Sequence, residues 1–395
     1  MKILVVSPFL PYPSVPHAGG KLVLHLLETL SRAHSVHLVT RYFPGESGHL
    51  DSMKGRLSGV DAVPSEGPVR AGSLLSLGRT ILSYIRLARR ADEAAKREAF
   101  DLCQVEYTET GVFWTPPRSL PAVLTCHDII AKPSFRRYAS SRGLSKPVRW
   151  AEWRLKLLVE RHAISKFRRV FTLSEVDREW AERLYPGVPT RALHYPGGLD
   201  LSPIPPRKEI PGRILFVGAL NRPRNVEGVR FFVGTVWPFV RARAPHAEFW
   251  VVGGGASEEF RRELSRDPRV RVTGRVETLA EYYSSASVFV APVLAGGGII
   301  VKILDAMAAG VPVVTTSYGN EGIRARDGAE IVVADLAETF ADAILRLLDD
   351  PERRAAIGEA GKSFVERNFS QQSFEETLRS VYAEAALSHG NPERR

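Results

Sequence analysis

Cysteine is nearly missing from this chain of 395 residues: Cys103 and Cys126 are the only two. Two thiols cannot build a disulfide scaffold or a cysteine-rich zinc site, and so low a count suits a reducing compartment. Long apolar runs are missing as well. The longest nearly apolar stretch, 289–301, holds a proline and three glycines and stops at Lys302, so it cannot span a bilayer. The opening MKILVVSPFLPYP offers four apolar residues between Lys2 and Ser7, too few for the core of a secretory signal. No G-x-G-x-x-G is present, which removes the usual fingerprint of hydride transfer. No convincing Ser-His-Asp set, carboxylate pair for glycoside hydrolysis, or spaced cluster of metal ligands can be assigned. What remains is an ordinary globular composition, 44% hydrophobic and 25% charged, at a length that suggests two or three domains.

The net charge is +10, and its placement is uneven. Residues 1–200 hold 29 Lys and Arg against 19 Asp and Glu, whereas 201–395 hold 25 of each. Residues 132–170 alone carry 12 basic and 2 acidic side chains, enough to account for the whole excess.

The apolar pattern predicts repeated β/α units. KILVVS reads as a buried strand, and PFLPYPSVPHAGG as a proline-rich loop. KLVLHLLETLSRA then has Leu22, Leu26, Leu27 and Leu30 at helical spacing, and SVHLVT is the next strand. Further strands are expected at 101–106, 122–126 and 169–173. This is the opening of a parallel, doubly wound sheet. SPIPPRKEIPG at 202–212 contains four prolines and reads as a linker. After it the rhythm restarts: RILFVG, EFWVVGG, VRVTG, SVFVAP and VPVVTT are strands, 225–243 is a helix, and helices close the chain near 336–349, 352–367 and 371–387. The tail HGNPERR is expected to be disordered. The pattern therefore divides into a first domain (1–201), a linker (202–212), a second domain (213–370), a closing helix (371–388) and a tail (389–395). Two such halves are expected to enclose a cleft, because open α/β sheets bind ligands at the carboxyl ends of their strands.

One stretch carries chemistry. LAGGGIIVKILDAMAAGVPVVTT puts a triple glycine between a strand and a helix expected to begin near Ile299. A helix amino end bears free N–H groups and roughly half a positive charge, and glycine lets an anion approach the backbone closely. Lys302 adds a full charge in the first turn, and Asp305 shares its helix face. Lys302 near a diphosphate and Asp305 near ribose hydroxyls would make a nucleotide-sugar site. A glycine-rich surface turn with an ordinary i, i+3 ion pair is the other local reading.

The wider segment GGGIIVKILDAMAAGVPVVTTSYGNEGI resembles the donor-binding segment of retaining GT-B glycosyltransferases of family 4, whose members read roughly G-x-G-x-x-x-K-x-L-E-A-M-A-x-G-x-P-V-V-x-T and then G-x-E-G. Weaker marks follow the same order: Gly19 and Gly20 in the first β–α loop, LTCHD with His127, TLSEVD, YPGGLD, and FVGALNRPRNVEGV with Gly218. The resemblance implies a GT-B fold of two Rossmann-like domains, an N-terminal one for the acceptor and a C-terminal one for the nucleotide-sugar donor, with the last helices packing back toward the first domain. It implies transfer of a sugar with retention at the anomeric carbon, using the donor's own phosphate oxygen in place of a protein base.

Residue by residue, the resemblance puts the ribose-binding carboxylate on Asp305 and a donor-sugar carboxylate on Gly297, where it is absent. The phosphate-clamping Arg and Lys fall on Ala219 and Arg224. Ala219 cannot serve, so Arg222 or Lys302 is expected to supply the missing charge. Backbone N–H groups of Ile299, Ile300 and Val301, behind Gly298, would meet the diphosphate, and Gly274, Arg275 and Val276 would lie by the base. His127 would contact the donor sugar. His127, Arg224 and Lys302 are the expected catalytic set. Glu106 in QVEYTE sits at an expected strand end and is the acceptor-side candidate, although a structural role is favoured for it. Asp128 beside His127 is no D-x-D pair, so no metal and no cofactor beyond the donor itself is expected.

The basic segment has two readings. VRWAEWRLKLLVERHAISKFRRVF sets Trp150, Trp153, Leu157, Ile164 and Phe167 near one helical face. That face either docks on anionic lipid or packs into the core, and the core is favoured for 160–171, which lead into a strand. A weaker case of the same kind is RTILSYIRLARRADEAAKRE. The expected partners are a nucleotide-sugar and a glycan, lipid-linked or small-molecule acceptor, with an anionic membrane surface through 132–170 and no nucleic acid. The expected place is the cytoplasm, at the inner face of a membrane. A non-catalytic GT-B-like protein that binds nucleotide-sugar or scaffolds a partner stays open, because of Gly297 and Ala219.

Overall fold

The computed structural model describes residues 1–15, 17–65, 74–198, 201, 206–296 and 298–387. The chain falls into two units. The first comprises 1–193 together with the chain from Glu375 onward, and the second 194–374. Part of the proline-rich 202–212 segment and all of the 389–395 tail lie outside the described residues.

Among the described residues the first unit is built on seven parallel strands: β1 (Lys2–Ser7), β2 (Ser35–Tyr42), β3 (Gly59–Pro64), β4 (Leu102–Glu106), β5 (Ala122–Cys126), β6 (Arg169–Thr172) and β7 (Thr190–Ala192), in the order β3-β2-β1-β4-β5-β6-β7. Ile3 to Val6 in β1 and Val123 and Leu124 in β5 are shut off from solvent, as a sheet covered on both faces requires. Strand order reverses between β1 and β4. That reversal opens a crevice at the carboxyl ends of those two strands. The segments leaving β1 and β4 therefore decide what stands there. Two strands were not legible as such: GVDAVP (β3) is mostly half-exposed and β7 has three residues, so neither shows a sustained apolar pattern.

The second unit repeats the plan with, among its described residues, six parallel strands: β8 (Arg213–Val217), β9 (Glu248–Val252), β10 (Val270–Gly274), β11 (Val288–Ala291), β12 (Val313–Thr315) and β13 (Val332–Val333), in the order β10-β9-β8-β11-β12-β13. Its switch point lies between β8 and β11. Trp237, Phe232, Phe249 and Phe340 fill the core on one side of the sheet. The single helix expected over 225–243 is instead Pro223–Phe231, a π-helical turn over Phe232–Val236, and Trp237–Arg243. Pro238 has no N–H to give the preceding turn, and the wider turn absorbs that break.

The last helix, Gln371–Leu387, contributes to the first unit from Glu375 onward. Tyr382 Oη donates to Gln104 Oε1 at 3.0 Å. Arg169 Nε donates to Glu384 at 3.3 Å, and Arg32 pairs with Glu375.

The basic helix, Ser145–Ile164, has two apolar faces rather than one. Ile164 and Phe167 are buried, and Trp153 and Leu157 half-buried, with Trp153 against Phe135 and Tyr138. Trp150 does not join them and stays 48% exposed. At about 100° per residue, Leu144, Val148, Leu155, Leu158 and Val159 share the opposite face. They are exposed, Leu144 to 96% and Leu155 to 64%. Arg149 and Lys156 border that face and pair with Glu152, whose carboxyl they hold down at about 2.

Candidate functional site

The second unit gathers its charged groups where β8 and β11 part. The chain leaves β8 through Gly218, whose N–H donates to Val252 O at 2.9 Å. A Cβ there would stand 2.9 Å from Asn225 Nδ2 and 3.0 Å from Lys302 Nζ, so glycine lets both side chains come up to the backbone. Lys302 Nζ donates to Asn225 Oδ1 at 2.9 Å and lies 4.2 Å from the centre of the Phe216 ring. Burial of this ammonium, helped by repulsion from Arg222, brings its pKa down to about 7. Arg222 caps the helix Pro223–Phe231 and is exposed. Arg224, in the first turn, is exposed too, and its Nη1 lies 3.4 Å from where a Cβ on Gly296 would stand. Asn225 was not foreseen, although it follows Arg222 and Arg224 in the same NRPRN run.

The glycine loop comes in from β11. Gly296 and Gly298 have φ of 143° and 81°, values that L side chains rarely adopt. Gly297 lies outside the described residues. Gly322 packs on the far side of the loop, where a Cβ would come within 2.3 Å of Gly298 O. The helix after the loop is Val301–Ala308, two residues later than expected, with Ile300 as its extended cap. Ile299 stays in the loop. The first N–H groups of such a helix have no partner inside it, so the end carries a partial positive charge beside Lys302.

Asp305 is only 2% exposed. Its Oδ1 accepts the N–H of Gly198 at 3.1 Å, tying the YPGG turn (Gly198 φ 77°) to the helix. Gly274 ends β10 with φ 76°, and its carbonyl accepts from Gly253 N at 3.1 Å. Gly253 in turn packs on the Gly218 backbone, so the glycines ending β8, β9 and β10 are neighbours. Arg275 is exposed beside Gly254, and Val276 packs half-buried on the core below.

In the first unit a second constellation stands at the carboxyl ends of β1, β4 and β5. His127 follows β5 and is 8% exposed. Its Nε2–H donates to Glu106 Oε2 at 2.7 Å. Glu106, the last residue of β4, is fully buried. Its Oε1 accepts from Gln104 Nε2 at 2.8 Å and from Thr125 Oγ1 at 3.0 Å. The expected acceptor-side carboxylate therefore lies beneath His127 and presents no open surface. Tyr107 lies flat on His127, with ring centres 3.7 Å apart and planes 4° from parallel. Its backbone has φ 70° and ψ 135°, and its N–H donates to Thr125 O at 2.9 Å.

The two glycines after β1 complete this cluster. Tyr107 Oη lies 1.6 Å from where a Cβ on Gly19 would stand. Gly20 N–H donates to His17 Nδ1 at 2.9 Å, capping the helix Ala18–Ser31, and a Cβ on Gly20 would strike Val15 and His17. Phe9 meets both His17 and Tyr107 edge-on. Tyr107 and His17 were not foreseen as site residues. Their only sequence signal was position, one residue past a strand and two before the double glycine.

Comparison with known proteins follows this division. Residues 19–202 match the family model described as Glycosyltransferase Family 4, and residues 211–350 the one described as Glycosyl transferases group 1. A GDP-mannose-dependent monoacylated alpha-(1-6)-phosphatidylinositol monomannoside mannosyltransferase from Corynebacterium glutamicum is 33% identical over 156 residues, 36% of this chain and 41% of that protein. Across the first curated relatives the chain matches about two fifths of their length. Among solved structures, sucrose-phosphate synthase from Thermosynechococcus elongatus superposes with a TM-score of 0.70 at 20% identity, covering 98% of this chain and 99% of that one. Anabaena HepE in complex with UDP-glucose gives 0.66 at 13% identity, covering 97% and 100%.

Proposed function

The chain belongs with the group 1, family 4 glycosyltransferases and has their GT-B fold, and on that premise we propose that it moves a sugar from a nucleoside-diphosphate-sugar to an acceptor with retention at the anomeric carbon. One observation carries this reading: Lys302, Arg222, Arg224 and the amino end of the helix Val301–Ala308 gather around a glycine loop at a strand-order reversal.

Departure of a diphosphate develops negative charge on its oxygens. Preorganised donors at that point lower the barrier, each typically by about 2.7–4 kcal/mol. Lys302 and Arg224 supply full charges, and the N–H groups of Ile300 and Val301 supply dipoles. Two arginines and a lysine in one place make a divalent cation unnecessary for neutralising the phosphates, so the reaction is proposed to be metal-independent. His127 serves the transferred sugar.

The acceptor is a glycan, a lipid-linked sugar or a small molecule. The exposed stripe Val148, Leu155, Leu158 and Val159 on a strongly basic segment favours work at an anionic membrane surface, on its cytoplasmic face. None of the described helices is long and apolar enough to cross a membrane. The C. glutamicum relative is named for GDP-mannose and the HepE structure contains UDP-glucose, so both donors belong in the first assay.

The test is calorimetry of UDP-glucose and GDP-mannose on the wild type, Arg224→Ala and Lys302→Met, with and without EDTA, alongside release of free nucleoside diphosphate. Binding that both substitutions weaken and EDTA leaves unchanged, with turnover, supports the proposal. Binding without turnover on any acceptor supports instead a nucleotide-sugar-binding protein, the reading that Ala219 keeps alive. Absence of binding to either donor removes both.

A further inference from the structure

Four features around His127 cannot be explained by packing alone. A carboxylate, Glu106, is shut off from solvent completely, and its burial is costly unless its oxygens are satisfied. They are: Gln104 and Thr125 donate to Oε1, and His127 donates to Oε2. Gln104 is itself held by Tyr382, 278 residues away, from the last helix. Tyr107 occupies a backbone region that is essentially reserved for glycine, at a cost on the order of 1–3 kcal/mol, and such strain persists only where the surroundings over-determine it. Finally, Gly19 leaves open the space its Cβ would occupy, and the Tyr107 hydroxyl stands in that space.

We propose that Glu106 and Tyr107 are positioning residues that hold His127 by its edge and by its face, fixing the ring proton on Nε2 and leaving Nδ1 as the acceptor offered to a sugar hydroxyl. The role given to Nδ1 rests on the transferase reading above. The clamp itself does not.

The edge contact sets the tautomer. A carboxylate can only accept, so the nitrogen facing it must carry the proton, and in a neutral imidazole the other nitrogen then has the lone pair. The face contact sets the rotation. With Tyr107 parallel at 3.7 Å, the ring cannot turn about Cβ–Cγ without displacing the phenol, and the phenol is lodged over Gly19. The strained backbone at Tyr107 is what brings its side chain back over the end of β5. An unstrained tyrosine at a strand end would not lie flat on this ring. Gln104 and Tyr382 hold the far side of Glu106, so its carboxylate cannot swing away.

Glu106→Gln makes a sharp test. Gln104 and Thr125 both donate to Oε1, so the amide oxygen stays on that side and the amide NH2 faces His127. Two donors then oppose each other, and His127 must move its proton to Nδ1.

The experiment records ring 15N shifts of His127 in the full chain, assigned by their loss in His127→Asn, for the wild type, Glu106→Gln and Tyr107→Phe. The expected result is an Nε2–H tautomer in the wild type and in Tyr107→Phe, which keeps the ring, and an Nδ1–H tautomer in Glu106→Gln. Donor turnover in Glu106→Gln should fall on the order of tenfold or more through kcat. A wild-type spectrum with the proton on Nδ1 overturns the proposal without any variant, so a Glu106→Gln that fails to fold does not protect it. An unchanged tautomer in a folded Glu106→Gln overturns it as well. Wild type that shows the Nε2–H tautomer but turns over no nucleotide-sugar upholds the clamp and sinks the transferase reading alone.

Discussion

Lys302 should make donor binding fall with rising pH in a window that few binding sites share. Its ammonium is buried next to Phe216 and Asn225 and repelled by Arg222, and it titrates at about 7 in the unliganded protein. A bound diphosphate supplies the opposite charge it lacks and returns its pKa toward the ordinary lysine range. The liganded pKa is then the higher one, so affinity is full below pH 7 and declines as pH rises above it. A single group titrating at about 7 when free and well above 9 when bound weakens binding about 30-fold between pH 6 and pH 8.5, or ~2 kcal/mol. Near neutrality, binding should take up about half a proton per site. The assay is calorimetry with UDP-glucose or GDP-mannose in buffers of different ionisation heat, since a nucleotide-sugar diphosphate has no ionisation of its own in this range. Lys302→Met should bind more weakly and lose both the pH slope and the buffer dependence. A flat affinity from pH 6 to 8.5, with heats that do not depend on buffer, would refute the reasoning.

Three further substitutions test separate parts of the structure. Gly19→Ala gains helix propensity but sets its Cβ 1.6 Å from Tyr107 Oη; the fold should survive and sugar transfer should fall, and adding Tyr107→Phe, which removes that oxygen, should restore part of the rate. Full activity in Gly19→Ala alone would show that the phenol's seat is irrelevant. Asp305→Ala leaves the Gly198 N–H without its buried acceptor and should cost about 1–3 kcal/mol in urea unfolding; an unchanged midpoint would contradict that role. Gly322→Ala forces a Cβ against Gly298 O at 2.3 Å, and calorimetry should show the donor bound about tenfold or more weakly, ~1.4 kcal/mol, with little change in melting of the first unit. Unaltered binding there would exclude the glycine loop from the site.

How far the sequence could be read depended on how local each signal was. KILVVS, AVLTC, RILFVG and SVFVAP became strands almost to the residue, because each is a short apolar run bounded by loop residues. The glycine loop and Lys302 were legible for the same reason: loop, charge and helix lie within a dozen residues. The partners of His127 were not. Glu106 and His127 are 21 positions apart and meet only because β4 pairs with β5, Glu106 opposite Thr125. Tyr107 over Gly19 needs β1 beside β4, a consequence of sheet order that periodicity does not contain. The two-sided helix Ser145–Ile164 was half seen. Its tryptophans drew attention to one face, while the plainer stripe of Leu144, Val148, Leu155 and Leu158 is the one left in water.

The last helix adds a constraint of timing. A chain emerging from a ribosome presents β1 to β7 before the second unit and has every described strand of the first unit in hand by Ala192. Yet Gln104, which steadies Glu106, waits for the hydroxyl of Tyr382, and Arg169 waits for Glu384. Until those residues arrive, the entire second unit must be made while the first is open along one flank. Vectorial synthesis, which usually lets an amino-terminal domain finish early, here defers its completion until the second unit has been made. A nascent chain lacking Gln371–Leu387 should hold its sheet but expose the polar ladder beneath His127 to proteases and to water, so the surroundings of His127 mature only after the second unit has been made.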